Sequence, residues 1–170
     1  MKYKAAIITV SDRGAKGERE DRSGPSIKSM IEDLYEVEEM IIVPDEEEII
    51  SKTIERLVDE NKIDLVITTG GTGVSPRDVT PEATKKVIEK EIPGFSEIMR
   101  IESYKLTPHG IISRGVCGIR GKSVIINLPG SPNAATQCLS YVLPALPHAL
   151  SKVKGSTEEC GTPGEWSHLL

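Results

Sequence analysis

Three glycines stand within the four residues 70–73, directly after a short β-branched stretch. Glycine lets backbone N–H groups approach a phosphate closely, and Thr69 and Thr72 would add hydroxyl donors. The segment is neither a Walker A loop nor a GxGxxG dinucleotide fingerprint, because no Gly-Lys-Ser/Thr follows and the glycine spacing differs. It predicts a phosphate-binding turn; the alternative is a turn that merely connects a strand to a helix.

Two carboxylates, Asp45 and Asp78, follow other predicted strands or turns. Mg²⁺ takes oxygen ligands from one or two carboxylates together with substrate phosphates, so this pair could hold a metal on a polyphosphate. Asp45 has a structural alternative, since Asp45 and Glu48 fit a capping box at the start of a helix. The two interpretations of Asp45 stay open at this point.

The segment 128–133 reads Leu-Pro-Gly-Ser-Pro-Asn and joins a predicted strand to a predicted helix. Ser131 suits the N-cap and Pro132 the first helical position. A helix N-terminus offers free N–H groups and partial positive charge to an anion. Simple helix initiation explains Ser131 and Pro132 equally well, but it does not explain Pro129-Gly130.

Several basic side chains are candidate partners for phosphate or for transition-state charge: Arg77, Arg100, Arg114, Arg120 and Lys122. Arg114 is the most suggestive of them, because Ser113-Arg114 interrupts an apolar run. The sequence contains no Ser/His/Asp or Cys/His arrangement, so we do not expect nucleophilic catalysis by a side chain.

Apolar runs and helical patterns alternate along the chain and must position these groups. Strands are predicted at 5–10, 37–43 and 63–68, and a hairpin or two neighbouring strands at 111–119 and 122–127. A polar loop is predicted at 12–22. Helices are predicted at 24–35, from Asp45 onwards, at 80–90 with Thr80 as cap, at 95–105, and at 133–153 with a bend near Pro144 and Pro147.

Alternation of strands and helices predicts an α/β fold with a mostly parallel sheet, helices on both faces and one antiparallel strand. Ligands of open α/β sheets bind beyond the carboxyl ends of the strands. The loops 11–14, 44–45, 69–78 and 128–132 all follow such ends. We therefore expect one functional edge.

Bulk composition limits the function. The 170 residues fit one domain, predicted at 1–154 with a polar tail at 155–170. The net charge is −5, from 21 basic and 26 acidic residues, and this argues against a nucleic-acid partner. The three cysteines form no CxxC pair and predict reduced thiols of a cytoplasmic protein. The first apolar run is too short for a signal peptide or a membrane span.

Eight segments in a fixed order resemble the molybdopterin adenylyltransferases, which comprise the MogA/MoaB-like proteins and the G domain of gephyrin. The resemblance extends from about Lys4 to Lys152. The segments are Val10-Ser11-Asp12-Arg13, Asp21-Arg22-Ser23-Gly24-Pro25, Pro44-Asp45-Glu46, 68–73, Arg77-Asp78-Val79-Thr80-Pro81-Glu82-Ala83, Pro93-Gly94-Phe95, Ser113-Arg114-Gly115 and 127–132.

The resemblance implies a three-layer α/β sandwich assembled as a homotrimer. It implies the Mg²⁺-dependent reaction of ATP with molybdopterin to give adenylated molybdopterin and pyrophosphate. In that reaction the terminal phosphate of molybdopterin attacks the α-phosphate of ATP. The product would pass to a molybdate-insertion protein.

Carried over by position, Asp45 and Asp78 match the acidic pair that the family needs for activity and are the expected catalytic and metal-binding residues. The expected substrate-binding residues are Ser11, Asp12, Gly70, Gly71, Thr72, Gly73, Pro81, Glu82, Ser113, Arg114, Asn127, Leu128, Pro129, Gly130, Ser131 and Pro132. Two alternatives remain: a non-catalytic MoaB-type pterin-binding trimer or scaffold, and a hydrolase of nucleotide-linked substrates.

Overall fold

A computed structural model describes residues 1–161 of the chain. Its single six-stranded sheet has the order β2-β1-β3-β6-β5-β4. The strands are β1 (Tyr3–Val10), β2 (Tyr35–Val43), β3 (Leu65–Thr69), β4 (Lys90–Glu91), β5 (Cys117–Arg120) and β6 (Ser123–Leu128). β5 is antiparallel to both of its neighbours, whereas β2, β1, β3 and β6 pair in parallel. The predicted mostly parallel sheet with one antiparallel strand is confirmed.

Seven α-helices surround the sheet in the described part of the chain. They are α1 (Asp12–Ala15), α2 (Ser23–Ile31), α3 (Glu47–Glu55), α4 (Thr80–Val87), α5 (Pro93–Tyr104), α6 (Pro132–Val142) and α7 (Leu146–Val153). A π-helical turn, Arg56–Glu60, continues α3, and 3₁₀ turns occupy Pro108–Ile112 and Leu143–Ala145. The last turn separates α6 from α7 at Pro144, so the predicted bend of the final helix is confirmed.

Two hydrophobic cores cover the two faces of the sheet. Alternate residues of β1 point to opposite sides, so that Ala5 and Ile7 belong to one core and Ala6 and Ile8 to the other. The first core packs against α2, α5, α6 and α7, and the second against α3 and α4. Both faces of the central strands are therefore buried, and the three-layer arrangement is confirmed.

Some predicted boundaries of helices and strands were wrong, because contacts between distant residues shift where these elements begin or end. The predicted strand 111–119 shortens to β5, because Thr107 caps a 3₁₀ turn and the N–H of Arg114 bonds to the carbonyl of Thr72, 2.8 Å away. The predicted loop 12–22 contains α1. The helix predicted at 24–35 ends at Ile31, since Tyr35 pairs with Tyr3 in the sheet.

The described part of the predicted tail, residues 155–161, has no helix or strand, and residues 162–170 lie outside the described residues. Among residues 1–161, no helix combines the length and the apolar character needed to cross a bilayer.

Candidate active site

The glycine-rich turn leaves the end of β3 in a conformation that only glycine adopts readily. Gly70 has a φ angle of +101° and Gly71 one of +67°. The N–H of Gly70 donates to the carbonyl of Leu128, and the hydroxyl of Thr69 donates to the carbonyl of Pro129, over 3.1 and 2.6 Å. The turn is thus bonded to the segment 128–130, as the shared sheet edge predicted.

Buried polar side chains form hydrogen bonds to the backbone of the turn and to one another. The hydroxyl of Thr80 donates to the carbonyl of Gly70 over 2.9 Å, and its N–H donates to the carbonyl of Gly71 over 3.1 Å. Thr80 is already the first residue of α4, and Val79 is the N-cap. The prediction that Thr80 caps α4 was therefore wrong, because its side chain satisfies the glycine turn instead.

Asn127 extends this network. Its amide nitrogen donates to the hydroxyls of Thr68 and Thr84, both 2.9 Å away, and its amide oxygen accepts from the N–H of Val116. Asn127 is only 3% exposed. Asn127 forms part of a cavity wall, but its side-chain amide is hydrogen-bonded to other residues of the protein.

Asp45 does not cap a helix. α3 begins two residues later, at Glu47, without a side-chain cap. The Oδ2 atom of Asp45 accepts the N–H of Asp12 over 2.9 Å, and the N–H of Asp45 donates to Oδ1 of Asp12 over 3.0 Å. The capping-box prediction for Asp45 and Glu48 was wrong, because this reciprocal pair occupies both the backbone and the side chain of Asp45.

Asp78 lies next to Gly73 of the glycine turn. Its Oδ2 atom accepts the N–H of Ser75 over 3.0 Å and lies 2.8 Å from the position that a Cβ on Gly73 would take. The other carboxylate, Oδ1 of Asp45, lies 3.1 Å from the corresponding position on Gly71. The two acids therefore flank the turn.

Two cavities open at this edge of the sheet. The polar cavity, of about 620 Å³, is lined by Asp45, Asp78, Arg19, Asp21, Arg22 and Ser131, among others. The apolar cavity, of about 450 Å³, is lined by Met99, Arg100, Leu106, Ile112, Ala134 and Gln137, among others. Gly71, Asp78 and Gly130 line both cavities, so the cavities meet beside the glycine turn.

Burial raises the pKa of the Asp45 carboxyl above its ordinary value, and the negative charges of Asp12 and Asp78 act in the same direction. The N–H of Asp12 and the charge of Arg77 oppose this shift. Two like charges close enough to interact would be stabilised by a cation between them.

The donor set can be compared with what Mg²⁺ requires. In residues 1–161, no group of three or more acidic, histidine or cysteine side chains is arranged to hold a metal ion. Asp45 and Asp78 nevertheless supply hard oxygen ligands to one cavity, and Mg²⁺ commonly takes its remaining ligands from phosphates and water. The residues present therefore fit Mg²⁺ held jointly with a substrate.

The other predicted site residues divide into two groups. Those that line a cavity are Ser11, Gly70, Gly71, Thr72, Gly73, Ser113, Asn127, Pro129, Gly130, Ser131 and Pro132. Those that lie outside both cavity walls, within the described residues, are Asp12, Pro81, Glu82, Arg114 and Leu128. Ser11 and Ser131 also cap α1 and α6, accepting the N–H groups of Gly14 and Ala134.

The sequence suggested that Arg114 binds phosphate, but its guanidinium contacts other groups of the protein. Its guanidinium donates to the carbonyls of Gly73 and Asp78, each 2.8 Å away, and pairs with Glu82. These bonds connect the glycine turn, Asp78 and α4. In this structure Arg114 braces the turn.

The site also includes residues that the sequence analysis did not assign to it. Arg19, Asp21 and Arg22 line the polar cavity. Asp21 is fixed by the hydroxyl of Thr9 and the N–H of Gly24, 2.8 and 3.0 Å away. The signal that could have identified them is the pair of arginines before Ser23-Gly24-Pro25.

Comparisons with known proteins identify the family of the chain. The family model described as "Probable molybdopterin binding domain" matches residues 6–148. A molybdopterin adenylyltransferase of Helicobacter pylori strain J99 is 46% identical over 88% of this chain and 87% of its own length. A protein of the same name from Escherichia coli K12 is 42% identical, over 80% of this chain and 71% of its own.

A solved structure of the molybdopterin biosynthesis enzyme MoaB from Thermus thermophilus superposes with a TM-score of 0.86. The two sequences are 45% identical, and the superposition covers 91% of this chain and 98% of the MoaB chain. The segment matched by the family model contains every strand from β2 to β6 and both acids that flank the glycine turn. The chain therefore belongs to the family of probable molybdopterin-binding domains.

Proposed function

We propose that the chain is a molybdopterin adenylyltransferase that transfers AMP from ATP to the terminal phosphate of molybdopterin. An oxygen of that phosphate forms a bond to the α-phosphorus of ATP, the bond from this phosphorus to the β-phosphate oxygen breaks, and pyrophosphate leaves. The observation that carries the proposal is the junction of two cavities at Gly71, Asp78 and Gly130. Two substrates bound side by side there would place their phosphates together.

The polar cavity is the proposed nucleotide site. Arg19, Arg22 and the dipole of α6 at its N-terminus supply positive charge for a polyphosphate. The apolar cavity is the proposed pterin site, because Met99, Leu106 and Ile112 offer apolar surface to a flat ring. Arg100 and Gln137 could bind the polar edge of that ring.

Asp45 and Asp78 are the proposed ligands of Mg²⁺, which would neutralise phosphate charge when bound. The remaining work of the site is positioning, since phosphoryl-type transfer requires alignment and charge stabilisation more than covalent participation of a side chain. The N–H groups of the turn that follow Gly70 would hold phosphate oxygens, and the hydrogen bonds of Thr80 and Asn127 would keep the turn rigid.

The direct test is incubation of the purified chain with ATP, Mg²⁺ and molybdopterin, followed by detection of adenylated molybdopterin and pyrophosphate. We expect both products, and we expect their loss when EDTA is added or when Asp45→Asn or Asp78→Asn is introduced. Lys86→Gln, which removes an exposed ion pair with Glu47, should keep the activity. A folded wild-type protein that forms neither product would reject the proposal.

A non-catalytic pterin-binding protein is the second candidate, since the apolar cavity could bind a pterin without ATP. Calorimetry separates the two functions. A transferase should bind ATP with Mg²⁺ in the absence of molybdopterin, whereas a pterin-binding scaffold should not. Slow hydrolysis of ATP or of a dinucleotide without any pterin would instead support a hydrolase.

We further propose a homotrimer. Ile101, Tyr104 and Ile111 are each more than half exposed on α5 and the segment that follows it, and they lie outside the wall of the apolar cavity, so contact with a second copy would cover them. Sedimentation equilibrium would measure the mass. We also propose that the protein acts in the cytoplasm and that its product passes to a molybdate-insertion protein. Residues 1–154 are the proposed catalytic domain.

A further inference from the structure

An ion pair joins two distant loops beside the proposed site. The guanidinium of Arg77 donates from Nε to Oδ2 of Asp12 over 3.0 Å and from Nη2 to Oδ1 over 2.9 Å. Such a bidentate pair fixes orientation as well as distance. Hydrogen bonding from Arg77 lowers the pKa of the Asp12 carboxyl.

Asp12 transmits this constraint to Asp45. Because the N–H of Asp12 binds Oδ2 of Asp45 and the N–H of Asp45 binds Oδ1 of Asp12, rotation of the Asp45 carboxylate would break a hydrogen bond. The arrangement leaves Oδ1 of Asp45 on the side of Gly71, where the polar cavity lies. Arg77 directly precedes Asp78, so the ion pair and the two Asp12–Asp45 hydrogen bonds together connect the segments that carry the two acids.

We propose that Arg77 and Asp12 are positioning residues that together hold Asp45 in its orientation relative to Asp78. Within residues 1–161, the walls of the two cavities include neither Arg77 nor Asp12, so both would act through Asp45 rather than on a substrate. This replaces the expected substrate-binding role of Asp12. The catalytic part of the inference rests on the proposed function.

A solvated surface ion pair is the competing interpretation. The side chain of Arg77 is 62% exposed and that of Asp12 32% exposed. Exposed pairs contribute only about 0–1 kcal/mol to stability, so both interpretations predict little change in unfolding. They differ in turnover, because misplacing a catalytic group by about 1 Å can reduce the rate by about 100-fold.

The chain provides a matched control. Arg120 forms the same bidentate geometry with Asp59, at distances of 3.0 and 2.6 Å, between residues 61 positions apart. In residues 1–161, neither residue lines the two cavities. Arg120→Gln therefore removes a bidentate ion pair, together with a hydrogen bond to the carbonyl of Val87, without affecting Asp45.

The kinetic experiment compares Arg77→Gln, Arg77→Lys, Asp12→Asn, the double variant Asp12→Asn/Arg77→Gln, and Arg120→Gln. We expect the first three to lower kcat by roughly 10–100-fold, with the KM for ATP changed by about 2-fold or less. Arg77→Lys should not rescue kcat, because a lysine lacks the planar fork. The double variant should be no slower than the slower single variant, because the effects of two substitutions that break the same interaction do not add.

A second measurement does not need activity. Hydrogen exchange at the N–H of Asp12 should be roughly 10-fold faster in Arg77→Gln than in the wild type and unchanged in Arg120→Gln. An inactive wild type would reject the proposed function, and this exchange rate alone would then decide whether Arg77 holds the Asp12–Asp45 pair. Wild-type kcat in Arg77→Gln, additive losses in the double variant, or unchanged exchange would each overturn the inference.

Discussion

The α-carbon of Gly70 packs against the carbonyl oxygen of Val10, and a Cβ atom on Gly70 would overlap that oxygen. Its φ angle of +101° is also unfavourable for any other residue. We therefore expect Gly70→Ala to lower the free energy of unfolding by about 2–5 kcal/mol, from backbone strain and overlap together. Urea denaturation measures this change.

Gly121→Ala is the control for Gly70→Ala. Gly121 has a φ angle of +56°, but a Cβ there would meet no atom within 4 Å. Only the conformational cost remains, about 1–2 kcal/mol. Equal losses in the two variants would show that contact with Val10 is unimportant.

Asp45→Asn should make the protein more stable at neutral pH while abolishing turnover. Burial raises the pKa of Asp45 in the folded state above its unfolded value of about 3.8, so the folded protein is penalised once this carboxyl ionises. The penalty is absent below pH 3.8 and is fully present above the raised folded pKa. The stability advantage of Asp45→Asn should therefore grow as the pH rises above about 4 and become constant above the folded pKa.

Thermal unfolding in EDTA measures the effect of Asp45→Asn without a divalent cation. Added Mg²⁺ with ATP should then raise the Tm of the wild type and leave that of the variant nearly unchanged. A variant that is less stable than the wild type at pH 7 would contradict the assignment of burial as the dominant cause.

Asn127→Ala tests whether Asn127 contacts substrate or supports the fold. The change leaves the buried hydroxyls of Thr68 and Thr84 and the N–H of Val116 with fewer partners. We expect the free energy of unfolding to fall by about 2–4 kcal/mol, with the KM values of the folded fraction changed by about 2-fold or less. Asn133→Ala, at an exposed position of α6, should cost less than about 0.5 kcal/mol.

Arg114→Lys tests whether Arg114 stabilises the glycine turn or binds phosphate. A lysine can bind phosphate as a point charge, but it cannot reach Gly73, Asp78 and Glu82 at once. If Arg114 braces the turn, Arg114→Lys and Arg114→Gln should lower kcat/KM for ATP by similar factors, about 10-fold. Substantial activity in the lysine variant alone would favour direct contact with phosphate.

Ala134→Phe tests the assignment of substrates to cavities. Ala134 lines the apolar cavity and, in residues 1–161, is not part of the polar cavity wall. The larger side chain should fill the proposed pterin site and weaken molybdopterin binding by about 10-fold or more, while ATP binding stays unchanged. Calorimetry with each substrate measures both, and Ser140→Phe, exposed on the same helix, should affect neither.

The sequence by itself determined the architecture and predicted the sheet edge at which the candidate site lies. Buried parallel strands need apolar residues on both faces, so stretches such as 5–10 and 63–68 are recognisable without knowledge of their partners. Gly70 and Gly71 were recognisable because a sharp turn beside a strand excludes other side chains. The carboxyl ends of parallel strands share an edge, which is why Asp45 and Asp78 could be placed near the turn.

Tertiary structure alone decided what each side chain does at that edge. Asp45 resembled a helix cap because a cap is a local pattern, whereas its actual partner, Asp12, lies 33 positions away. Arg77 and Arg114 looked like phosphate ligands, yet they hold Asp12 and the carbonyls of the glycine turn. Hydrogen-bond partners of this kind depend on the angles at which crossovers return to the sheet, and sequence spacing does not encode those angles.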